Sequence, residues 1–219
     1  MFHTTVYPIL PAMPAAGISE LTSKILLTVL SAILFVGISL LVGHTLSKVI
    51  VSQGMKCRHS VILWLTGIFS LAVFLRYGLS VTAIQGMFLL CVLLYASCSD
   101  LTNHTVNDHV WITVSALAIV SIPTVGMTSM VIGAMCVFIP QMAMALIPPN
   151  KTLGGADIKL STALAFLLGA WKGIGAYIIG LVIAVIFISI YNKVKHRCKK
   201  KPFALVPFLS VGAMIMFLC

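Results

Sequence analysis

The chain has 219 residues, of which 60% are hydrophobic and only 8% charged, with a mean hydropathy of +1.14. A soluble domain of this size needs far more charge to cover its surface, so the composition excludes one and makes lipid the solvent. The 14 Lys and Arg outnumber the four acids, for a formal net charge of +10. In such a chain this marks the basic loops of a membrane protein; no basic stretch carries the interleaved aromatics of a nucleic-acid surface.

In chain order, residues 1–24 read as a non-cytoplasmic tail and residues 25–219 as one transmembrane domain. The tail is no ordinary signal peptide: residues 1–19 hold no Lys or Arg, and Pro8, Pro11 and Pro14 interrupt any short apolar core. Apolar runs then predict helices near 25–43, 60–76, 81–98, 110–125, 128–147, 154–171, 173–191 and 203–219. Turn signals separate them at Gly78 and Ser80, Gly126, Pro148-Pro149-Asn150, Gly173 and Pro202, while Pro123 and Pro140 are expected to kink spans. The fold class is all-α, a polytopic membrane protein of about eight transmembrane helices.

Eight spans alternate sides, so charge can be sorted by side. Lys24, Arg76 and Lys172 fall on one side and every other Lys and Arg on the opposite one. The positive-inside rule then places the 44–59, 99–109, 148–153 and 192–202 loops in the cytoplasm and both termini outside it. The basic tract 193–201 reads as a topogenic loop that also attracts anionic membrane lipids.

The six cysteines, at 57, 91, 98, 136, 198 and 219, contain no Cys-x-x-Cys pair and read as structural thiols behaving as small hydrophobes. His44, His59, His104 and His109 fit no metal-binding spacing and read as solvated groups near a membrane face. No metal and no cofactor is expected. No nucleophile elbow, phosphate loop or dinucleotide fingerprint occurs.

Ionisable groups inside or beside a span are costly and therefore candidates for function. Glu20 lies in the outer tail. Asp100 closes the third span, Asp108 precedes the fourth, and Asp157 opens the sixth, all on the cytoplasmic side. The apolar run after Asp157, from Leu160 to Trp171, is too short to cross a core of about 30 Å. The helix is therefore expected to start near Leu153 or Gly154, drawing Asp157 and Lys159 towards the headgroups. Gly154-Gly155-Ala156 precede the acid with little or no side chain, so a neighbouring helix or an extended peptide can approach closely. On that motif alone, a packing seam with a helix-capping Asp is an equal alternative. Two carboxyls from different spans at one face are the parts of aspartyl hydrolysis. Held close in a low dielectric, they cannot both ionise, so one activates water while the other polarises a carbonyl.

These residues resemble a known family. Asp100-Leu101 followed by Val106-Asn107-Asp108 is similar to the first motif of the type IV prepilin peptidases. Gly154-Gly155-Ala156-Asp157-Ile158-Lys159-Leu160 is similar to their second, Gly-x-Gly-Asp-x-Lys. Pro202-Phe203 and the run Val206-Pro207-Phe208-Leu209-Ser210-Val211-Gly212 resemble the family's C-terminal signature, and Leu65-Thr66-Gly67 with the run to Phe74 resembles the span that follows the family's cytoplasmic domain. The resemblance covers roughly residues 54–219. It implies an aspartic endopeptidase of the bacterial inner membrane, multi-pass, that removes a basic leader from prepilins or pilin-like proteins at the cytoplasmic face. Asp100 and Asp157 are its implied catalytic residues; Gly154, Gly155, Ala156, Lys159 and Asp108 are the implied substrate-side or supporting residues. The partners are a pilin-like substrate helix and lipid, with no nucleic acid; the oligomeric state is not specified. Ala156 stands where the motif has Gly, and Asn107 where it has Pro. The 44–59 loop lacks the paired Cys-x-x-Cys of longer members, so the resemblance implies peptidase without N-methyltransferase activity. The rival readings are an ion-coupled small transporter using the same acids as a proton relay, and a catalytically inactive pilin-binding relative.

Overall fold

A computed structural model describes residues 15–55, 57–146, 154–195 and 204–219. These form eight helices: α1 (Ala15–Ser52), α2 (His59–Tyr77), α3 (Val81–Asn103), α4 (Asp108–Val125), α5 (Met127–Leu146), α6 (Gly155–Leu168), α7 (Ala170–Lys195) and α8 (Val206–Leu218). Among the described residues there is no strand. Apolar side chains run all round most of these helices, as expected where one face meets protein and the other lipid. Exposed Leu26, Leu75, Ile119 and Trp171 line the outer surface, while Leu89, Leu93, Val114, Met130, Leu160 and Leu167 fill the interior.

The helices end where local chemistry stops them. Gly78, Gly126 and Gly169 take positive φ after α2, α4 and α6, a backbone state that costs glycine nothing. Ser80 caps α3, its side chain accepting from the Ala83 N–H at 3.2 Å. Pro123 lies in the last turn of α4 and Pro140 inside α5.

Six helices are long and apolar enough to cross a membrane. The exceptions are α6, with 14 residues, and α8, with 13. At about 1.5 Å per residue each spans roughly 20 Å, short of a hydrocarbon core about 30 Å thick. Both are enclosed instead. α6 packs on α4, α5 and α7, and α8 on α7 and α3; Leu160, Leu164, Val206, Leu209 and Ala213 are all buried.

Several expectations need correction. α1 is 38 residues long, so the expected tail is already helical from Ala15, with Lys24 pairing to Glu20 at 2.7 Å one turn apart. Residues before 15 lie outside the described part. α6 begins at Gly155, close to the expected Leu153 or Gly154, but it ends at Gly169, not near Trp171, and so does not cross the core as the length argument assumed. The chain break expected at Gly173 therefore falls at Gly169. Gly173 is a packing residue inside α7: a Cβ there would stand 2.7 Å from the Ala165 backbone. The cysteines were expected to be unpaired, yet Cys57 and Cys98 form a disulfide between the α1–α2 connection and α3. Their separation of 41 residues leaves no spacing signature. The turn at 148–150, Pro202, Cys198 and the basic tract beyond 195 lie outside the described residues.

α7 and α8 meet through glycines. A Cβ on Gly212 would run into the Ala176 carbonyl and stand 2.7 Å from the Gly180 nitrogen. Gly212→Ala should therefore lower unfolding stability in detergent by about 1–3 kcal/mol, the cost of overpacking. Gly37 is the control, since a Cβ added there would meet nothing within 4 Å. Gly37→Ala should be neutral or gain up to about 1 kcal/mol of helix propensity. Equal melting of both variants would remove the close-packing account.

Candidate active site

Asp100 lies in the last turns of α3, where its side chain is only 6% exposed. Its Oδ2 accepts the backbone N–H of Val206 at 3.0 Å. Val206 opens α8, and the first amides of a helix have no partner within it. The α8 N-terminus therefore supplies a free donor and the positive end of its dipole to a buried carboxylate. Past Asp100 the chain turns sharply. His104 takes a left-handed φ of 52°, its N–H donates to the Asp100 carbonyl at 3.0 Å, and the Ser99 hydroxyl donates to the Thr105 carbonyl at 2.8 Å.

Asp157 lies in the first turn of α6 and is half-buried. It stands three residues after Gly154, the N-cap, so its carboxylate can reach back to the cap amide in the manner of a capping box; the Gly154 backbone donor lies against it. Asp100 is within Coulombic reach of Asp157. Two of the three acids singled out in the sequence thus lie within Coulombic reach of each other, each facing the backbone N–H of a helix start.

The small residues before Asp157 differ from one another. A Cβ on Gly154 would stand 3.0 Å from Asp157 Oδ2, so this glycine leaves the carboxylate its space. A Cβ on Gly155 would meet nothing within 4 Å. Both glycines are exposed, and Ala156 is partly exposed beside them.

Asp108 is not part of the pair. It lies exposed at the start of α4, where its Oδ1 accepts Lys159 Nζ at 2.8 Å and Trp111 Nε1 at 2.9 Å. Lys159 Nζ also lies 5.6 Å from the centre of the Trp111 ring. Lys159 follows Asp157 by two residues, so this cluster ties the start of α6 to the start of α4. Both charges are exposed, where an ion pair contributes little energy, but the cluster still sets register between the two helices.

Two groups that hold the site escaped the sequence reading. Gln141 on α5 is 1% exposed, and its Nε2 donates to Ser161 Oγ at 2.8 Å. The Ser161 hydroxyl in turn donates to the Asp157 carbonyl at 2.8 Å. A glutamine inside a lipid-facing span is the one signal that pointed there. Val206 carried no signal beyond its place in the C-terminal signature, since an apolar side chain says nothing of its amide. Among the described residues no group of three or more His, Cys, Asp or Glu could hold a metal ion. His44 and His59, expected to be solvated, bond to each other instead, Nδ1 to Nε2 at 2.9 Å.

The molecule is thus a multi-pass membrane protein with an acidic pair of which one member, Asp100, is buried and the other, Asp157, half-buried. Residues 87–190 match the type IV leader peptidase family, Peptidase_A24. That stretch is similar to the type IV leader peptidase family; it holds both Asp100 and Asp157, and the match supports a prepilin peptidase. No curated protein and no solved structure matches the chain.

Ser161→Ala should leave the buried Gln141 amide without its hydroxyl, at about 1–3 kcal/mol. Adding Gln141→Leu should restore most of that stability, because both polar partners are then gone. Thermal unfolding of the single and double variants in detergent checks this; a double variant no more stable than Ser161→Ala would count against the pairing.

Proposed function

We propose that this peptidase is an aspartic endopeptidase that removes the basic leader of a type IV prepilin, or of a pilin-like protein, at the cytoplasmic face of the bacterial inner membrane. The observation that supports the reading is that Asp100 and Asp157, from helices distant in sequence, lie within Coulombic reach of each other.

The chemistry follows from sharing one proton between two carboxyls. The ionised carboxyl takes a proton from a water molecule as that water attacks the scissile carbonyl. The protonated partner donates to the carbonyl oxygen, so the tetrahedral intermediate forms without a free oxyanion. Collapse of the intermediate returns a proton to the leaving amine. The backbone donors of Val206 and Gly154 hold the two side chains in place through these transfers, and they do so without an ionisable group of their own.

An extended segment of substrate would lie against Gly154 and Gly155, exposed next to Asp157. A basic leader then remains in water while the apolar helix that follows stays in lipid. Lys159, neutralised by Asp108, adds little repulsion towards a basic leader. The cytoplasmic orientation rests on the distribution of Lys and Arg between the two sides. A one-sided acidic pair also fits hydrolysis at a surface better than ion transit through the midplane.

Asp100→Asn and Asp157→Asn should each abolish leader removal from a purified prepilin while the protein still inserts and melts normally. Near-normal cleavage by either would end the reading. Gly154→Ala should slow cleavage by crowding Asp157. Gly155→Ala should leave stability unchanged and act, if at all, by raising KM; a comparison of KM and kcat for the two variants separates these roles.

A further inference from the structure

The connection between α1 and α2 is fastened to α3 by a covalent bond. Cys57 is joined to Cys98, two residues ahead of Asp100. The other ties are slight: the Tyr95 hydroxyl donates to Gln53 Oε1 at 2.9 Å, and Ile50, Met55, Ile62 and Cys98 form a small cluster apart from the main core. Both cysteines, with Arg58 and Leu101, line an apolar cavity of about 610 Å³ between α2, α3 and α8. Pro207 lines the same cavity and follows Val206, whose amide holds Asp100. The bridge therefore shares a cavity with Leu101 and Pro207, the neighbours in sequence of Asp100 and of the Val206 that holds it.

The charge distribution assigns this end to the cytoplasm, where thiols are kept reduced and disulfides that do form are transient or redox-sensing. Arg58 adjoins Cys57, is exposed, and has no ion-pair partner among the described residues. A neighbouring guanidinium favours thiolate, the form that enters thiol–disulfide exchange.

We propose that Cys57 and Cys98 form a reversible redox site whose oxidation restricts approach to Asp100. The oxidant is a small-molecule disulfide or a disulfide carrier protein. The Cys57 thiolate attacks it, releasing one carrier thiolate and forming a mixed disulfide. The Cys98 thiolate then attacks the Cys57 sulfur and releases the second carrier thiolate. Two electrons pass to the carrier, and the two protons lost by the cysteines end on its thiols. Oxidised, the pair clamps the α1–α2 connection at Cys57 onto α3 beside the cavity; reduced, the ties left among the described residues are the Tyr95 bond and the small cluster. The effect on catalysis rests on the peptidase reading, whereas the pairing of the thiols does not.

The test uses the full chain in detergent, treated with dithiothreitol or with oxidised glutathione. Three readouts are taken: the mass added by a thiol-alkylating reagent, the rate of trypsin cutting after Arg58, and the rate of leader removal from a prepilin. Oxidation should protect two cysteines from alkylation, slow cutting after Arg58, and slow leader removal roughly fivefold or more, all reversed by dithiothreitol. Cys57→Ser and Cys98→Ser should cleave at the reduced rate under both treatments. Full alkylation after oxidation, or leader removal no slower in the oxidised protein, would overturn the proposal. Should the variants fail to insert, the oxidised and reduced wild-type protein decide the matter alone. Should neither state remove a leader, the peptidase reading fails separately; alkylation and trypsin cutting then support the latch if they change with redox state and overturn it if they do not.

Discussion

A polar group buried in this bundle must find its partner within the protein, because hydrocarbon offers none. Asp100 is the most demanding case, a carboxylate enclosed at the end of α3. Its partner is a main-chain amide, the Val206 N–H at the start of α8. That bond joins positions 106 residues apart and makes α8 a strut of the structure. At its other end, Arg76 donates to the Leu218 and Cys219 carbonyls at 3.2 and 3.3 Å, and the Tyr77 hydroxyl donates to the Phe217 carbonyl. A 13-residue helix is thus satisfied at its N-terminus by an acid and at its C-terminus by a cation, the pairing its dipole favours.

The start of α6 obeys the same constraint by different means. Asp157 uses its own N-cap amide, Ser161 returns a hydrogen bond to the Asp157 carbonyl, and Gln141 secures Ser161 from α5. The Asp108, Trp111 and Lys159 cluster fixes the neighbouring turn at the surface. Both short helices are therefore held by specific polar contacts where they begin, and these two beginnings carry the environment of the acidic pair. Their shortness has a consequence: a helix of roughly 20 Å need not reach both headgroup regions, so its first turn can lie below the surface while enclosed by longer neighbours.

Much of this was legible in the sequence. Apolar runs locate all eight helices because lipid demands them, and acids in such runs stand out because they are costly. The run of small residues before Asp157 was also readable, but not its meaning: Gly154 and Gly155 are exposed and form no packing seam, while Asp157 both faces the N-cap amide and belongs to the acidic pair. What sequence could not reveal lies in long-range pairing between helices that are apolar on every side. Gly173 and Gly169 are equally good breakers by composition, and only contact with Ala165 makes one a packing residue. Cys57 and Cys98 have no motif spacing, and Val206 acts through an atom every residue but proline possesses.

The two acids are not equivalent in their surroundings, and the difference bears on the proposed chemistry. Asp100 is enclosed and faces an amide from a helix far along the chain, so its position depends on the whole bundle. Asp157 is half-exposed and sits beside two glycines that open to the outside. A peptide arriving at this end would meet the more exposed Asp157 before the enclosed Asp100. One acid therefore suits delivery of water and substrate, the other a fixed reference within the protein. In that arrangement Ala156 matters less than its place in the motif suggests: the crowding contact belongs to Gly154, the motif glycine that is retained, and the open surface to Gly155, which stands at the motif's variable position.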